Sequence, residues 1–409
     1  MVSAASNKKN RKSPRKPDAW RIALLAVIVL LAFPAFAQAP DPEIQRAFVE
    51  AGRLMEAGDY AGAERMFREL VQKTNSPRIK LELARTLFYE KRYRESRAIF
   101  KEVQLEPDIP WRVRDNIDAF IHQIDDIIGY VRGAVSVISD TNPENITSQR
   151  EFTIGGIRLT FVPPKENKKV TGLRYFVDAY QPLWQEERLS TYLTTAYLDY
   201  PGEAVDRLTM DMGLTKGLDP EGRSALKGGF EWGTFAGQEL YKFPYAAWLN
   251  VLSQSSTYRI TGMAKAGRVT YPDYSYLDAN YFSLSASGVR ALSDTAAASL
   301  TATAEDSHAR EKPYSYTGLT LVPGLSWLLT EPAILLKASC AFGERHYAAP
   351  DPLFGVQRND QRVFAELAVR KKTWRFMNFT PVLYLSFEKN ESNIDYYSYQ
   401  KVNFSIGLE

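Results

Sequence analysis

The sequence predicts an α + β-barrel fold, in which a small helical domain precedes an antiparallel transmembrane barrel of about fourteen strands. Three observations carry this prediction. The amino terminus has the basic and then apolar pattern of an exported protein, a helical repeat follows it, and the hydrophobic period changes to two near Gly129. We therefore expect a signal peptide over residues 1–37, a helical domain over residues 38–128 and a barrel domain over residues 129–409.

The amino-terminal segment is typical of a cleaved signal peptide. Seven Lys and Arg residues within the first 21 positions precede an apolar run over residues 22–33, which ends at Pro34 and the small-residue pattern Ala35-Phe36-Ala37. A membrane anchor is the alternative, but a spanning helix needs about 20 apolar residues. Cleavage is expected before Gln38. Since no cysteine follows the apolar run, we do not expect the protein to be a lipoprotein itself.

Residues 41–129 have a helical period and contain an internal repeat. Small and aromatic residues return at a spacing of 33, in the pairs Ala51 and Ala84, Tyr60 and Tyr93, Phe67 and Phe100, and Pro77 and Pro110. That spacing is close to the 34-residue tetratricopeptide repeat, in which small residues let the two helices of a hairpin approach. The pattern predicts two repeats, each closed by its proline, and a capping helix over residues 111–128.

Stacked helical hairpins usually offer a groove to an extended partner, although they also occur as spacers. The candidate groove residues on the predicted first helices are Phe48, Met55, Arg78, Arg85 and Tyr89.

Apolar and polar residues alternate along segments of about ten residues after Gly129, as transmembrane strands require. In the last segment, for example, Val402, Phe404 and Ile406 alternate with polar or small residues. A soluble antiparallel sandwich would also alternate. The signal peptide, the length of the segments and their number favour a closed barrel, because lipid cannot satisfy an unpaired sheet edge.

Parity constrains the number of strands. About fifteen segments are plausible, but a barrel with both ends in the periplasm needs an even number. The weak segment is residues 236–257, so we expect about fourteen strands. Connections predicted to be short (residues 292–295, 328–332 and 371–378) alternate with longer ones (residues 306–314, 343–361 and 389–397). The long ones should lie outside the cell.

The polar face of each strand should line the lumen. Charges of both signs occur there, so they can pair across strands and fill the barrel or line a wet path. The candidate lumen residues are Arg174, Asp178, Arg207, Asp211, Arg290, Arg362, Glu366, Arg370 and Lys401.

Composition argues against several classes of function. With 51 basic and 48 acidic residues the net charge is only +3. The sequence therefore lacks the strong basic excess that is typical of nucleic-acid-binding proteins. A single cysteine, Cys340, and three histidines, His122, His308 and His346, provide little for a metal site or a catalytic centre. We therefore predict that the protein is not an enzyme and uses no cofactor and no metal.

The order of the parts resembles the surface lipoprotein assembly modifier family, and local matches support the resemblance. These matches are the segment Leu81-Glu82-Leu83-Ala84-Arg85 through Tyr93 and Phe100, the residues 110–124 with Asn116-Ile117, then Asp140-Thr141-Asn142, Arg358-Asn359-Asp360, Pro381 and Ser392-Asn393. One departure is the chain end, Leu408-Glu409, where outer-membrane barrels usually finish on an aromatic residue; the nearest here is Phe404.

The resemblance implies a transport role. Members deliver lipoproteins or other secreted clients to the bacterial cell surface, with the barrel in the outer membrane and the repeats in the periplasm. The implied partners are outer-membrane lipid, the client, and a periplasmic chaperone or the barrel assembly machinery. The alternative is an outer-membrane exporter or porin-like channel for polysaccharide or small solutes, which a basic, continuous lumen would favour.

Overall fold

A computed structural model describes residues 41–106, 109–154, 157–160, 168–376 and 379–408. The predicted signal peptide, the end of the predicted connection at Asn378, and Glu409 lie outside these residues. The chain forms two compact units, and the first ends at Thr86.

Within the described residues, five helices precede the sheet. They are α1 (Pro42–Glu56), α2 (Tyr60–Thr74), α3 (Pro77–Tyr89), α4 (Tyr93–Leu105) and α5 (Trp111–Ile128). Aspartates cap the first two, since Asp41 accepts a hydrogen bond from the Glu43 amide and Asp59 from the Gly62 amide. In the described part of the chain, no helix has both the length and the apolar character that a membrane span requires.

The repeat positions predicted to pack are enclosed. Ala51, Ala84, Phe67 and Phe100 are all almost completely buried, which confirms the tetratricopeptide-like arrangement of the helices. The predicted role of the prolines is wrong in one respect. Pro77 begins α3 instead of ending the helix before it. Proline is tolerated there because the amides of the first helical turn have no carbonyl partner within the helix.

Sixteen strands follow the helices. They are β1 (Tyr130–Asp140), β2 (Glu151–Ile154), β3 (Ile157–Thr160), β4 (Val170–Trp184), β5 (Leu189–Asp199), β6 (Arg207–Gly217), β7 (Ser224–Phe235), β8 (Gln238–Gln254), β9 (Tyr258–Val269), β10 (Ala279–Ser293), β11 (Ala296–Ala309), β12 (Tyr316–Leu329), β13 (Ile334–Pro350), β14 (Gln357–Lys371), β15 (Pro381–Ser392) and β16 (Tyr399–Leu408).

Fourteen of these strands form a closed antiparallel barrel, and β2 pairs only with β3 as a separate hairpin. The barrel order is β1, β16, β15 and so on down to β4, which closes on β1. The predicted number of fourteen is therefore confirmed. The weak segment becomes a two-residue turn, Ala236-Gly237, followed by the single long strand β8.

The two faces of the wall differ as the alternation predicts. Val402, Phe404 and Ile406 of β16 are exposed on the outer face, whereas Lys401 lies on the inner face, where it contacts Glu388 of β15. The same contrast runs around the barrel. The exposed apolar outer face has the composition that contact with lipid requires.

We call the end of the barrel where β1 begins and β16 finishes the helix end, and the opposite end the loop end. The predicted alternation of short and long connections holds only in part. Residues 351–356 alone join β13 to β14, because the two strands continue past Gly343 and stay paired as far as Pro350 and Gln357. At the helix end, residues 372–380 form a connection longer than predicted.

Candidate functional site

Polar and charged side chains line the inner face of the barrel. In the pairing register, eight of the predicted lumen residues stand opposite other inner-face residues on neighbouring strands. They are Arg174, Asp178, Arg207, Asp211, Arg362, Glu366, Arg370 and Lys401. Asp178, for example, accepts hydrogen bonds from Tyr130 of β1 and Thr194 of β5.

The lumen position predicted for Arg290 is wrong. Arg290 lies directly opposite Tyr258 in the register and shares its face of β10 with Phe282 and Leu284, which are exposed on the outer wall. Its place near the helix end explains how a charge is accommodated there, because the long side chain can reach the polar membrane interface. The alternation of Phe282 and Leu284 with serines already gives Arg290 the parity of the outer face, and the predicted lumen position did not follow it.

Asp211 is the centre of one inner network. It accepts hydrogen bonds from the hydroxyl groups of Tyr192 (3.2 Å) and Tyr245 (2.9 Å) and pairs with Lys227 at 3.3 Å. Lys227 also lies 3.7 Å from the centre of the Tyr192 ring. These contacts involve β5, β6, β7 and β8, so they tie four neighbouring strands together on the inner side.

Glu388 is the centre of a second network on the opposite part of the wall. It pairs with Arg362 of β14 at 2.8 Å and with Lys401 of β16 at 3.3 Å, and it accepts a hydrogen bond from Tyr399 at 2.6 Å. Glu388 itself was missed in the sequence. It alternates with the apolar residues Leu385 and Phe387, so the same two-residue period could have indicated it.

The loop-end half of the inner wall carries further pairs that the sequence did not indicate. Arg345 pairs with Glu305 at 2.9 Å, and Arg358 pairs with Asp360 at 2.5 Å. Arg358 also stacks 3.5 Å from the ring centre of Tyr397. Both arginines and Asp360 lie within residues 343–361, which alternation marked as a loop because charges occupy both faces of the strands there.

A segment after β1 folds inward near the loop end. Arg207 of β6 donates to the Pro143 carbonyl, and Lys401 of β16 donates to Asn145 at 2.9 Å. In the barrel order β5, β4 and β1 separate these two strands, so residues 141–147 span the inner side of that wall. Asn142, only 1 % exposed, fastens the segment through its hydrogen bond to the Ile146 carbonyl.

Helices α4 and α5 contact the helix end of the barrel. Asp125 of α5 pairs with Arg97 of α4 at 2.6 Å and with Arg132, an inner-face residue of β1, at 3.2 Å. At the other end of α5, Asp115 pairs with Lys372 at 2.7 Å. His122, predicted as a packed or exposed side chain, is exposed and lies 2.8 Å from Arg132.

Burial also perturbs one acidic group between these helices. Asp118 accepts a hydrogen bond from Gln104 and lies near Arg375. Removal from water raises the pKa of the Asp118 carboxyl above its ordinary range, and the neighbouring Arg375 offsets only part of that change. The carboxyl group therefore holds its proton more tightly than an exposed aspartate does.

The candidate groove residues lie on α1 and α3. Arg78 is 4.8 Å from the ring centre of Phe48, which also packs edge-on against Phe67. Met55 accepts a hydrogen bond from Thr86 at 3.4 Å. Arg85 pairs with Glu82 along the same helix, and Tyr89, at the end of α3, is 44 % exposed. Phe48 and Arg78 are thus the predicted pair that the fold brings into contact.

The fold and the lumen define a class of protein: a transmembrane β-barrel of fourteen strands preceded by tetratricopeptide-like helices. The family model of the surface lipoprotein assembly modifiers matches residues 130–409, which is the whole barrel. A tetratricopeptide repeat model matches residues 54–108. This chain belongs to the surface lipoprotein assembly modifier family, and it is an outer-membrane protein of lipoprotein surface assembly. The family and fold are those of a membrane assembly barrel and not of an enzyme.

Solved outer-membrane barrels are similar in outline only. OpdK of Pseudomonas aeruginosa, solved with vanillate, is 6 % identical with a TM-score of 0.38 and covers 68 % of this chain and 98 % of its own. The channel DcaP of Acinetobacter baumannii is 10 % identical with a TM-score of 0.38, covering 69 % and 97 %. A structure titled bacterial polysaccharide outer membrane secretin is 9 % identical with a TM-score of 0.36, covering 68 % and 98 %. No curated protein matches the sequence.

Proposed function

We propose that this protein translocates lipoproteins across the outer membrane to the cell surface, with the barrel lumen as the route for the polypeptide. The observation that carries the proposal is the match of the family model to every strand of the barrel. The polar inner face fits a polypeptide route, because backbone and polar side chains crossing it need hydrogen-bonding groups that lipid lacks.

The proposal includes an orientation. Residues 1–37 act as the signal peptide, residues 38–128 stay in the periplasm, and residues 129–409 form the membrane domain. The helix end then faces the periplasm and the loop end faces the outside, in keeping with an even number of strands. Clients would enter past α5, whose contacts with Arg132 and Lys372 hold it at that end.

A deletion strain tests the proposed function. Intact cells of the parent and the deletion strain are labelled with a membrane-impermeant biotin reagent, and labelled lipoproteins are quantified by mass spectrometry beside total lipoproteins. We expect one or a few lipoproteins to lose surface labelling more than tenfold at unchanged total amount, and the wild-type gene to restore it. Unchanged labelling of every lipoprotein in the deletion strain would contradict translocation.

We further propose that the groove on α1 and α3 recruits the client or its periplasmic chaperone. The exposed Arg78 beside Phe48 is its most accessible charged member. An Arg78→Glu variant should lower client surface labelling several-fold at normal protein level. The matched control is Arg53→Glu, which reverses a charge on the exposed side of α1 and should leave labelling unchanged. Equal client surface labelling in the two variants would contradict recruitment by the groove and indicate that the repeats act only as a spacer.

A further inference from the structure

The joint between β1 and β16 closes the barrel with the shortest ladder in its wall. Six consecutive residue pairs run from Val135 and Leu408 to Asp140 and Asn403. Every other pair of neighbouring barrel strands shares nine or more pairs. We call this joint the seam.

At the helix end, β1 extends beyond Leu408, the last described residue of β16. Residues 130–134 of β1 pair with β4, but in the described part of the barrel no pair joins them to β16. These five residues cover about 16 Å at the rise of an extended strand. Strand β15 also begins at Pro381, opposite Leu408, so β15 and β16 both end at this level.

The loop end of the seam, in contrast, is fastened by contacts beyond the ladder. The Thr141 amide donates to the Val402 carbonyl at 3.2 Å, and the Val402 amide donates to the Thr141 hydroxyl group at 2.9 Å. Asn142 donates to the Gln400 carbonyl at 3.2 Å. Separation of the two strands would therefore begin at the helix end.

Helix α5 crosses the seam as a strap. Its Asp115 is held by Lys372, in the connection from β14 to β15, and its Asp125 is held by Arg132 of β1. Because β14, β15, β16 and β1 are consecutive in the barrel, these two anchors stand on opposite sides of the seam. The ten helical steps from Asp115 to Asp125 span about 15 Å, enough to pass beneath two strands.

We propose that the seam is a lateral exit through which the acyl chains of a lipoprotein client pass between the lumen and the bilayer, with α5 as its strap. This inference rests on the proposed function. A client's acyl chains are unfavourable in a wet lumen, and its polypeptide is unfavourable in lipid, yet the two are covalently joined. A wall that parts along one seam accommodates both at once. Val131 and Val135, exposed on the outer face of β1, border the unpaired edge.

Disulfide locks test the exit, with Cys340→Ala as the background because Cys340 is the sole native cysteine. Val137→Cys with Ile406→Cys faces two outer residues across the seam and locks it. The matched control, Val137→Cys with Leu173→Cys, joins β1 to β4 from the same position on β1. We expect the seam lock to lower client surface labelling more than tenfold, reduction to restore it, and the control lock to have no effect. Full labelling with a quantitatively formed seam lock would overturn the proposal, as would equal loss in both variants.

A second measurement does not depend on export. The purified full-length protein in detergent is exposed to a synthetic triacylated lipopeptide with a photoreactive group, and the labelled peptides are mapped. We expect labelling to concentrate on residues 130–140 and 399–408 and to disappear in the seam lock but not in the control. Labelling spread evenly over the outer wall would overturn the lateral exit and leave the proposed function standing. If the deletion strain instead keeps full surface labelling of every lipoprotein, the proposed function is contradicted, and the lateral exit, which rests on it, is contradicted with it.

Discussion

Asp125 joins the helices to the barrel through one side chain that is only 2 % exposed. Its carboxylate pairs with both Arg97 and Arg132. Two positively charged partners offset the free-energy cost of removing a carboxylate from water. The pair partners come from α4 and β1, so this residue links the helices to one of the two strands of the seam. Sequence alternation could not indicate it, since Asp125 lies on the apolar side of α5 beside Ile121 and Ile124.

An Asp125→Asn variant should loosen α5 from the barrel. The substitution leaves two arginines without a counter-charge, at a cost of about 2 kcal/mol. Hydrogen exchange of the α5 amides in detergent should then be about thirtyfold faster than in the wild type. Asp126→Asn, which changes the exposed neighbouring carboxylate, is the control and should leave the exchange rate unchanged. Equal rates in the two variants would contradict the role of Asp125.

The raised pKa of Asp118 predicts a dependence on pH. The folded chain binds the proton of this carboxyl group more tightly than the unfolded chain does, so the proton stabilises the fold at low pH. That contribution is lost as pH rises through the raised pKa. Asp118→Asn keeps an oxygen acceptor for Gln104 without a charge, so the variant should be more stable than the wild type above that pKa.

Thermal unfolding of both proteins in detergent, measured from pH 4 to pH 8, checks this expectation. The gain in Tm of the variant should widen with rising pH and shrink toward the ordinary pKa of an aspartate. A gain that stays constant over the whole range would show that the charge of Asp118 is irrelevant to the effect.

At the scale of the single strand, alternation predicted the outer and inner faces of β6, β14 and β16 because large apolar residues mark one face throughout. The lumen position predicted for Arg290 departs from this alternation, because Arg290 shares the parity of Phe282 and Leu284 on β10. Alternation failed beyond Gly343, where charged and polar residues occupy both faces and resemble a loop although β13 and β14 stay paired. Backbone pairing, not side-chain polarity, holds the strands there.

Single cysteines on β16 test the faces directly. In the Cys340→Ala background, Asn403→Cys and Ser405→Cys should react with a water-soluble thiol reagent in membranes at least tenfold faster than Phe404→Cys. The inner positions reach water through the lumen, whereas the outer position lies in lipid. Uniform reactivity along the strand would contradict the assignment of β16 to a lipid-facing wall.

At the scale of the whole molecule, the count of alternating segments predicted about fourteen strands once both barrel ends were taken to lie on one side, which requires an even number. It could not predict the seam or the strap, because these depend on contacts between residues far apart in sequence, such as Asp115 with Lys372. The inward segment at residues 141–147 was hidden for the same reason, since its partners Arg207 and Lys401 lie on distant strands.

The proposed orientation predicts which ends are accessible on intact cells. A short epitope inserted after Gly355, in the loop-end connection of residues 351–356, should bind antibody on intact cells. The same epitope in the helix-end turn after Glu186 should bind only after the outer membrane is permeabilised. Insertions at both places avoid the strands and should spare the fold. The reverse pattern would show that the barrel sits the other way round.

Reconstitution tests the central claim most directly. The purified full-length protein is placed in liposomes, and the client lipoprotein identified by surface labelling is supplied on the side of the helix end. Translocation predicts that the client becomes sensitive to protease added on the side of the loop end, and that liposomes without the protein keep it protected. Equal protection of the client in both preparations, with the barrel folded and inserted, would contradict translocation by this protein.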